Sequence, residues 1–192
     1  MILETEANLK SKVISAIKHL FVADSLSMPV HWFYRVSDIY SLFPNGIANL
    51  EDAPPYHPGS IMSLHSTGGG GRKKNDHASG PSKIVGEVIL KGKEGYWDQP
   101  NIHYHQGMVA GDNTLNAHCV RLLMRTISSN SGKYDKTTFL KAYIEFMTSD
   151  SPLHQDTYAE SYHREFFANL DRGLLPEKCG GKTHDTASIG GL

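Results

Sequence analysis

The sequence predicts an all-α fold. Apolar residues recur at three- and four-residue spacing in several separate stretches, the apolar–polar alternation of half-buried strands is missing, and no hairpin turn joins two β-branched runs. At 192 residues the chain is long enough to bury most of its apolar surface in one core, and no internal repeat or composition break divides it. A single domain over 1–192 is expected.

Each element follows from local pattern. Over 8–27, Leu9, Val13, Ile17, Leu20 and Phe21 share one helical face, and Met28-Pro29 ends the run because proline cannot continue the ladder. A short helical piece is expected over 36–42. Residues 44–80 are rich in Gly, Pro, Ser and Asn, so they read as a long loop carrying the Gly68-Gly69-Gly70-Gly71-Arg72-Lys73-Lys74 run. Over 82–94, Ile84, Val85, Val88 and Ile89 suggest a helix with one inward face, and over 113–128 Leu115, Cys119, Leu122, Leu123 and Thr126 do the same. Asp135 is placed to cap a helix carrying Phe139, Leu140, Tyr143, Ile144 and Met147. Tyr158, Tyr162, Phe166, Phe167 and Leu170 mark the last helix, which stops at Gly173.

Composition narrows the function. With 19 basic against 20 acidic residues the formal net charge is −1, without the basic excess that draws proteins to phosphate backbones. Nucleic acid is therefore not an expected partner. The first residues, Met1 to Glu6, carry acids where a signal peptide carries bases, and no run looks apolar enough to span a membrane. A cytoplasmic location follows as an expectation. Cys119 lies on an apolar helical face, so a buried thiol is expected there rather than a disulfide to Cys179.

Two oxygen-rich cassettes carry the candidate chemistry, Asp112-Asn113-Thr114 and Asp185-Thr186, each at the start of a helix-like pattern. Carboxylate, amide and hydroxyl oxygens are hard-cation ligands, and Gly111 lets the backbone come close to an ion. The same residue types are ordinary helix caps, so capping competes with metal binding at both places. Two further readings attach to other residues. His103 and His105, two apart, would share a strand face and with His31 and His184 could rebuild a site for zinc, manganese or iron; solvation or local hydrogen bonding is the plainer expectation for loop histidines. His163 reads as the edge of a packed core. The Gly68–Lys74 run lacks the ending of a Walker loop and reads as a linker.

In chain order, Ala23-Asp24-Ser25-Leu26-Ser27-Met28-Pro29-Val30-His31, Gly111-Asp112-Asn113-Thr114 and Thr183-His184-Asp185-Thr186 resemble the motifs of the ADP-ribosylglycohydrolase family. His57-Pro58-Gly59, His103-Tyr104-His105 and His163-Arg164-Glu165-Phe166-Phe167 are similar to its branch containing the J1 crystallins and selenoprotein J. The resemblance covers essentially the whole chain, whereas that family continues beyond its second cassette. It implies a multi-helix orthogonal bundle, incomplete at the C-terminal end, with exposed apolar surface as the consequence. It also implies two magnesium ions that orient the ribose of an ADP-ribosyl group for hydrolysis. The expected metal ligands are Asp112, Asn113, Thr114, Asp185 and Thr186, and the expected substrate contacts are His31, Gly111 and Asn113. Asp24 would organise the helix end, and His31 would replace the family's glutamate. If ADP-ribose binds, Arg72, Lys73 and Lys74 would lie over its diphosphate.

The departures point the other way. Gly111 and Asn113 stand where the family has Thr and Asp, and Thr183 stands for another Asp, so anions that balance four positive charges are missing. The second ion should be weakened most. The resulting expectation is a protein that binds or hydrolyses an ADP-ribosylated substrate or free ADP-ribose. Its rival is a non-catalytic, crystallin-like structural or interaction protein on the same scaffold.

Overall fold

A computed structural model of the chain describes residues 6–65, 67–68 and 83–181. Among them the fold is all-α: α1 (Glu6–Ser27), α2 (Val36–Leu42), α3 (Leu115–Ser129), α4 (Lys136–Met147) and α5 (Ser161–Asp171) are joined by long irregular segments and single 3₁₀ turns. Extended pairing among the described residues is confined to isolated bridges such as Tyr56 with Ile102.

The core forms where α3, α4 and α5 present the faces their spacing predicts. Leu115 and Cys119 of α3 meet Tyr143 and Met147 of α4 and Phe166 and Phe167 of α5. Asp135 caps α4 as expected, accepting from the Thr138 N–H at 2.7 Å. Gly173, at φ +86°, follows α5 in the left-handed region that glycine adopts most readily. Cys119 is a free, buried thiol, and burial raises its pKa far above the usual thiol range. The second half of the core comes from the loops. Trp97, fully buried, donates its indole N–H to the Thr157 carbonyl at 3.0 Å, stacks on Tyr158 at 5.2 Å and lies under the guanidinium of buried Arg164 at 5.1 Å.

Two expected elements differ. The helix over 82–94 is not formed: Ile84–Val88 is one wide turn with Val85 at ψ 124° and Gly86 at φ +102°. A Cβ on Gly86 would stand 2.6 Å from Glu94 Oε2, so this close approach needs glycine. Ile84, Val85, Ile89 and Leu90 are buried by the turn itself, which imitates an inward helical face in the sequence. Residues 94–98, the end of that expected helix and the start of its exit, form a separate 3₁₀ turn.

Helix α1 exists but does not pack inward as an amphipathic helix should. Leu9 is 53 % and Val13 49 % exposed, and of all its residues Ser25 alone is buried. The stretch Glu6–Val30 also passes a length-and-composition test for crossing a membrane, with mean hydropathy 1.3, contrary to the expectation that no run would. Core helices and leader segments pass the same test. The last turns of α1 hold the molecule's polar centre.

Candidate functional site

The polar centre surrounds the first turn of α3, where helix geometry leaves backbone N–H groups without helical partners. Thr114, the residue before α3, makes no side-chain cap of its own. Two carboxylates from distant points of the chain cap the helix instead. Asp24 of α1 accepts from the Thr114 N–H at 2.8 Å, and Asp156, just before α5, accepts from the Leu115 N–H at 2.7 Å. Both carboxylates sit at the positive end of the α3 helix dipole.

Asp24 is held on every side. Its Oδ1 accepts from the Thr114 hydroxyl at 2.7 Å, and its Oδ2 accepts from the Asn113 amide at 3.0 Å as well as from the backbone. Asn113 also donates to the Phe21 carbonyl and to Ser25 Oγ, both at 2.8 Å. Arg121, lying over the Phe21 ring at 5.0 Å, donates to Asn113 Oδ1 at 2.9 Å. The segment Ala23–His31 and the cassette Gly111–Thr114 are therefore in direct contact. Asp24, near the end of α1, ties that helix to the start of α3 through these bonds.

Asp156 anchors a second network, which sequence reasoning missed. Its Oδ1 accepts from His105 Nδ1 at 2.8 Å and from the Tyr158 N–H at 3.1 Å. His105 Nε2 meets His31 Nδ1 at 2.8 Å, and His31 Nε2 meets Ser27 Oγ at 3.1 Å. Burial works against charge on His105, but the Asp156 carboxylate outweighs it and raises its pKa. Burial, the largest influence, raises the Asp156 pKa, but His105, the Leu115 N–H and His154 together outweigh it and hold the carboxyl far below the ordinary range. His31 is lowered to about 4 by burial and then by His105. Trp32, at φ +60°, is wedged against His105, Tyr104 and Tyr158 at 5.5, 4.6 and 5.2 Å, which holds an uncommon backbone conformation in place.

A third group extends from the same helix turn. Asn116 donates to Glu160 Oε1 at 2.7 Å and accepts from the Tyr162 hydroxyl at 2.6 Å. Glu160 is pushed up to about 7 by burial and by Asp156. Its Oε2 lies 3.7 Å from His163 Nε2, and neither atom has a hydrogen-bond partner. His163 Nδ1 pairs with the Tyr143 hydroxyl, the core-edge role expected of it.

The loop histidines His57, His65, His103, His105 and His154 are buried rather than solvated, as is His163 in α5. His103 and His105 lie on a tight turn rather than a strand, with the His105 N–H bonded to His103 Nδ1 at 3.0 Å and His103 Nε2 at 3.1 Å from the Pro29 carbonyl. Burial and His105 lower His103 to about 3.

Magnesium, implied by the resemblance, needs oxygens turned toward one point. Asp112 commits Oδ2 to the Val109 N–H at 3.0 Å, Thr114 commits its hydroxyl to Asp24, and Asn113 Oδ1 already faces the Arg121 cation. Among the described residues no three His, Cys, Asp or Glu side chains converge as a metal site. The described part of the cassette does not fit a two-ion centre, because a guanidinium stands where a cation would be needed. Asp185, Thr186 and His184 lie outside the described residues, as do Arg72, Lys73 and Lys74.

Compared with family models, curated proteins and solved structures, the chain matches none of them.

Proposed function

We propose that the chain is an ADP-ribosylglycohydrolase-type domain that binds an ADP-ribosyl group across the start of α3, against His31, Gly111 and Asn113. One observation carries the reading: the two described segments of the resemblance, almost ninety positions apart in the chain, meet through Asp24, Asn113 and Thr114. A site shared by three motifs needs this meeting, and no local pattern requires it. Magnesium, where it contributes, would be held by Asp112 with Asp185 and Thr186. Binding rather than rapid turnover is the activity favoured, since the cassette oxygens are spent on internal bonds. The orthogonal-bundle architecture and the cytoplasmic setting belong to the same proposal.

Calorimetric titration of the full chain with ADP-ribose, with and without magnesium, tests it. Saturable heat is expected, weakened at least about tenfold by His31→Ala, a loss of about 1.4 kcal/mol. Asp112→Asn should remove any enhancement by magnesium and leave the rest. No heat from folded protein would overturn the reading.

The second reading is a non-catalytic scaffold of the crystallin-like kind. It is favoured by the closed Arg121–Asn113–Asp24–Thr114 network, which has the form of a structural clasp. Absence of both binding and release of ADP-ribose from modified substrates is its expected outcome.

A further inference from the structure

The relay from Asp156 ends in water. Asp156 and His105 are buried and His31 is partly covered, whereas Ser27 is exposed at the end of α1. A hydroxyl within reach of an imidazole, whose other nitrogen is fixed by a further partner, is the arrangement that activates a nucleophile. Here the partner is a second imidazole, itself fixed by a carboxylate that two backbone N–H groups prevent from turning. A purely structural clasp between α1 and the 103–105 turn would not need a solvent-facing hydroxyl at its outer end.

Proton counting gives the relay two states. When His105 carries the extra proton, its Nε2–H donates to His31 Nδ1, so His31 presents Nε2–H to Ser27, and Ser27 donates to the Asp24 carbonyl 3.2 Å away. When that proton leaves, His105 Nε2 accepts from His31 Nδ1–H, and His31 Nε2 becomes an acceptor for the Ser27 hydroxyl. Ser27 is then poised to lose its proton.

We propose that Ser27 is a nucleophile toward carboxylic esters with good leaving groups, with His31 as its base and His105 and Asp156 as positioning residues. Ser27 Oγ bonds to the acyl carbon while its proton passes to His31 Nε2. The bond to the leaving alcohol or phenol breaks, and that group departs with the proton from His31. Water then adds to the acyl-serine, giving its proton to His31, and collapse returns that proton to Ser27 Oγ and frees the acid. Aryl esters suit the site because their departing oxygen needs little help. The groups facing the relay are Asp24, His103, Asp156 and Glu160; burial opposes charge on His105, the three carboxylates together outweigh it, and the reactive neutral pair is populated as pH rises above the ordinary histidine range.

The test treats the full chain with an alkyl fluorophosphonate, whose P–F bond breaks as Ser27 Oγ bonds to phosphorus, and with p-nitrophenyl acetate. One label per chain mapped to Ser27, and phenolate release that increases with pH, are expected. Ser27→Ala should abolish labelling, and His31→Ala should slow it about 100-fold or more. Ser27 is exposed and His31 half-buried, so thermal melting of each variant checks that it is folded. In His105→Asn the pH midpoint should move down, a shift that loss of packing alone would not produce. Labelling elsewhere, or an unchanged rate in folded His31→Ala, would overturn the proposal. The esterase proposal shares His31 with the ADP-ribose reading, but labelling reports Ser27 alone and calorimetry reports ADP-ribose alone, so the two readings fail separately.

Discussion

Lowering the pH is the perturbation that this fold should tolerate least. His31, His103, His154 and His163 are held neutral, with pKa values lowered chiefly by burial to about 4, 3, 4 and 3. In the unfolded chain each returns to about 6.5. A lowered folded-state pKa means stability that is present above the unfolded value and lost as pH falls toward the folded one. At pH 5.5 each histidine therefore withdraws about 1 kcal/mol or a little more, and the four together about 5 to 6 kcal/mol relative to pH 7.5. Glu160 acts with the opposite sign. Its folded pKa of about 7 exceeds the unfolded carboxyl value of about 4.3, so it gains stability as pH falls between those limits and returns about 2 kcal/mol by pH 5.5. His105, raised by Asp156, also gains on acidification as pH falls from its folded pKa toward about 6.5. The four histidines and Glu160 together leave a loss of about 3 to 4 kcal/mol, which His105 reduces; that is a large share of the 5 to 15 kcal/mol typical of a domain, and it steepens below pH 5.5. Urea unfolding followed by circular dichroism from pH 7.5 down to 4.5 measures it. A midpoint that falls steadily with pH is expected; one that is flat or rises between pH 7.5 and 5.5 would refute the reasoning.

Asp156→Ala strands a buried imidazole and two backbone donors and should cost about 3–5 kcal/mol by urea unfolding, with a loss below about 1 kcal/mol showing that the relay is not anchored there. Asp24→Ala leaves the Thr114 backbone and hydroxyl donors and the Asn113 amide short of an acceptor, for about 2–4 kcal/mol; a neutral effect would mean that the clasp between α1 and α3 contributes nothing. Gly86→Ala forces a side chain into the left-handed region against Glu94 and should lower stability by about 2 kcal/mol or more, whereas an unchanged melting temperature would contradict the turn geometry.

What the sequence reveals is what spacing encodes. The faces of α3, α4 and α5 repeat with helical period, and Asp135 and Gly173 stand where a cap and a stop belong, so those elements are legible residue by residue. The 82–94 segment is misread because a turn that buries Ile84, Val85 and Ile89 satisfies the same pattern, while the decisive feature, the fit of Gly86 against Glu94, is tertiary. Helix α1 is legible as a helix, but exposure of Leu9 and Val13 depends on what packs there, which spacing does not state. At the site, Asp24, Asn113 and Thr114 are singled out by their motifs. Asp156 is not, because it caps a helix forty-one positions upstream and has no local signature. The burial of the loop histidines likewise comes from long-range partners, whereas the aromatic face around His163 makes its packing legible.

The most direct measurement is a titration of isotope-labelled protein with ADP-ribose, followed by amide and imidazole resonances. If an ADP-ribosyl group seats across the start of α3, the Gly111, Asn113 and Thr114 amides and the His31 ring shift together and saturate, while α4 stays unchanged. Resonances at those positions that do not move at saturating ligand, in a protein with a folded spectrum, would contradict the account.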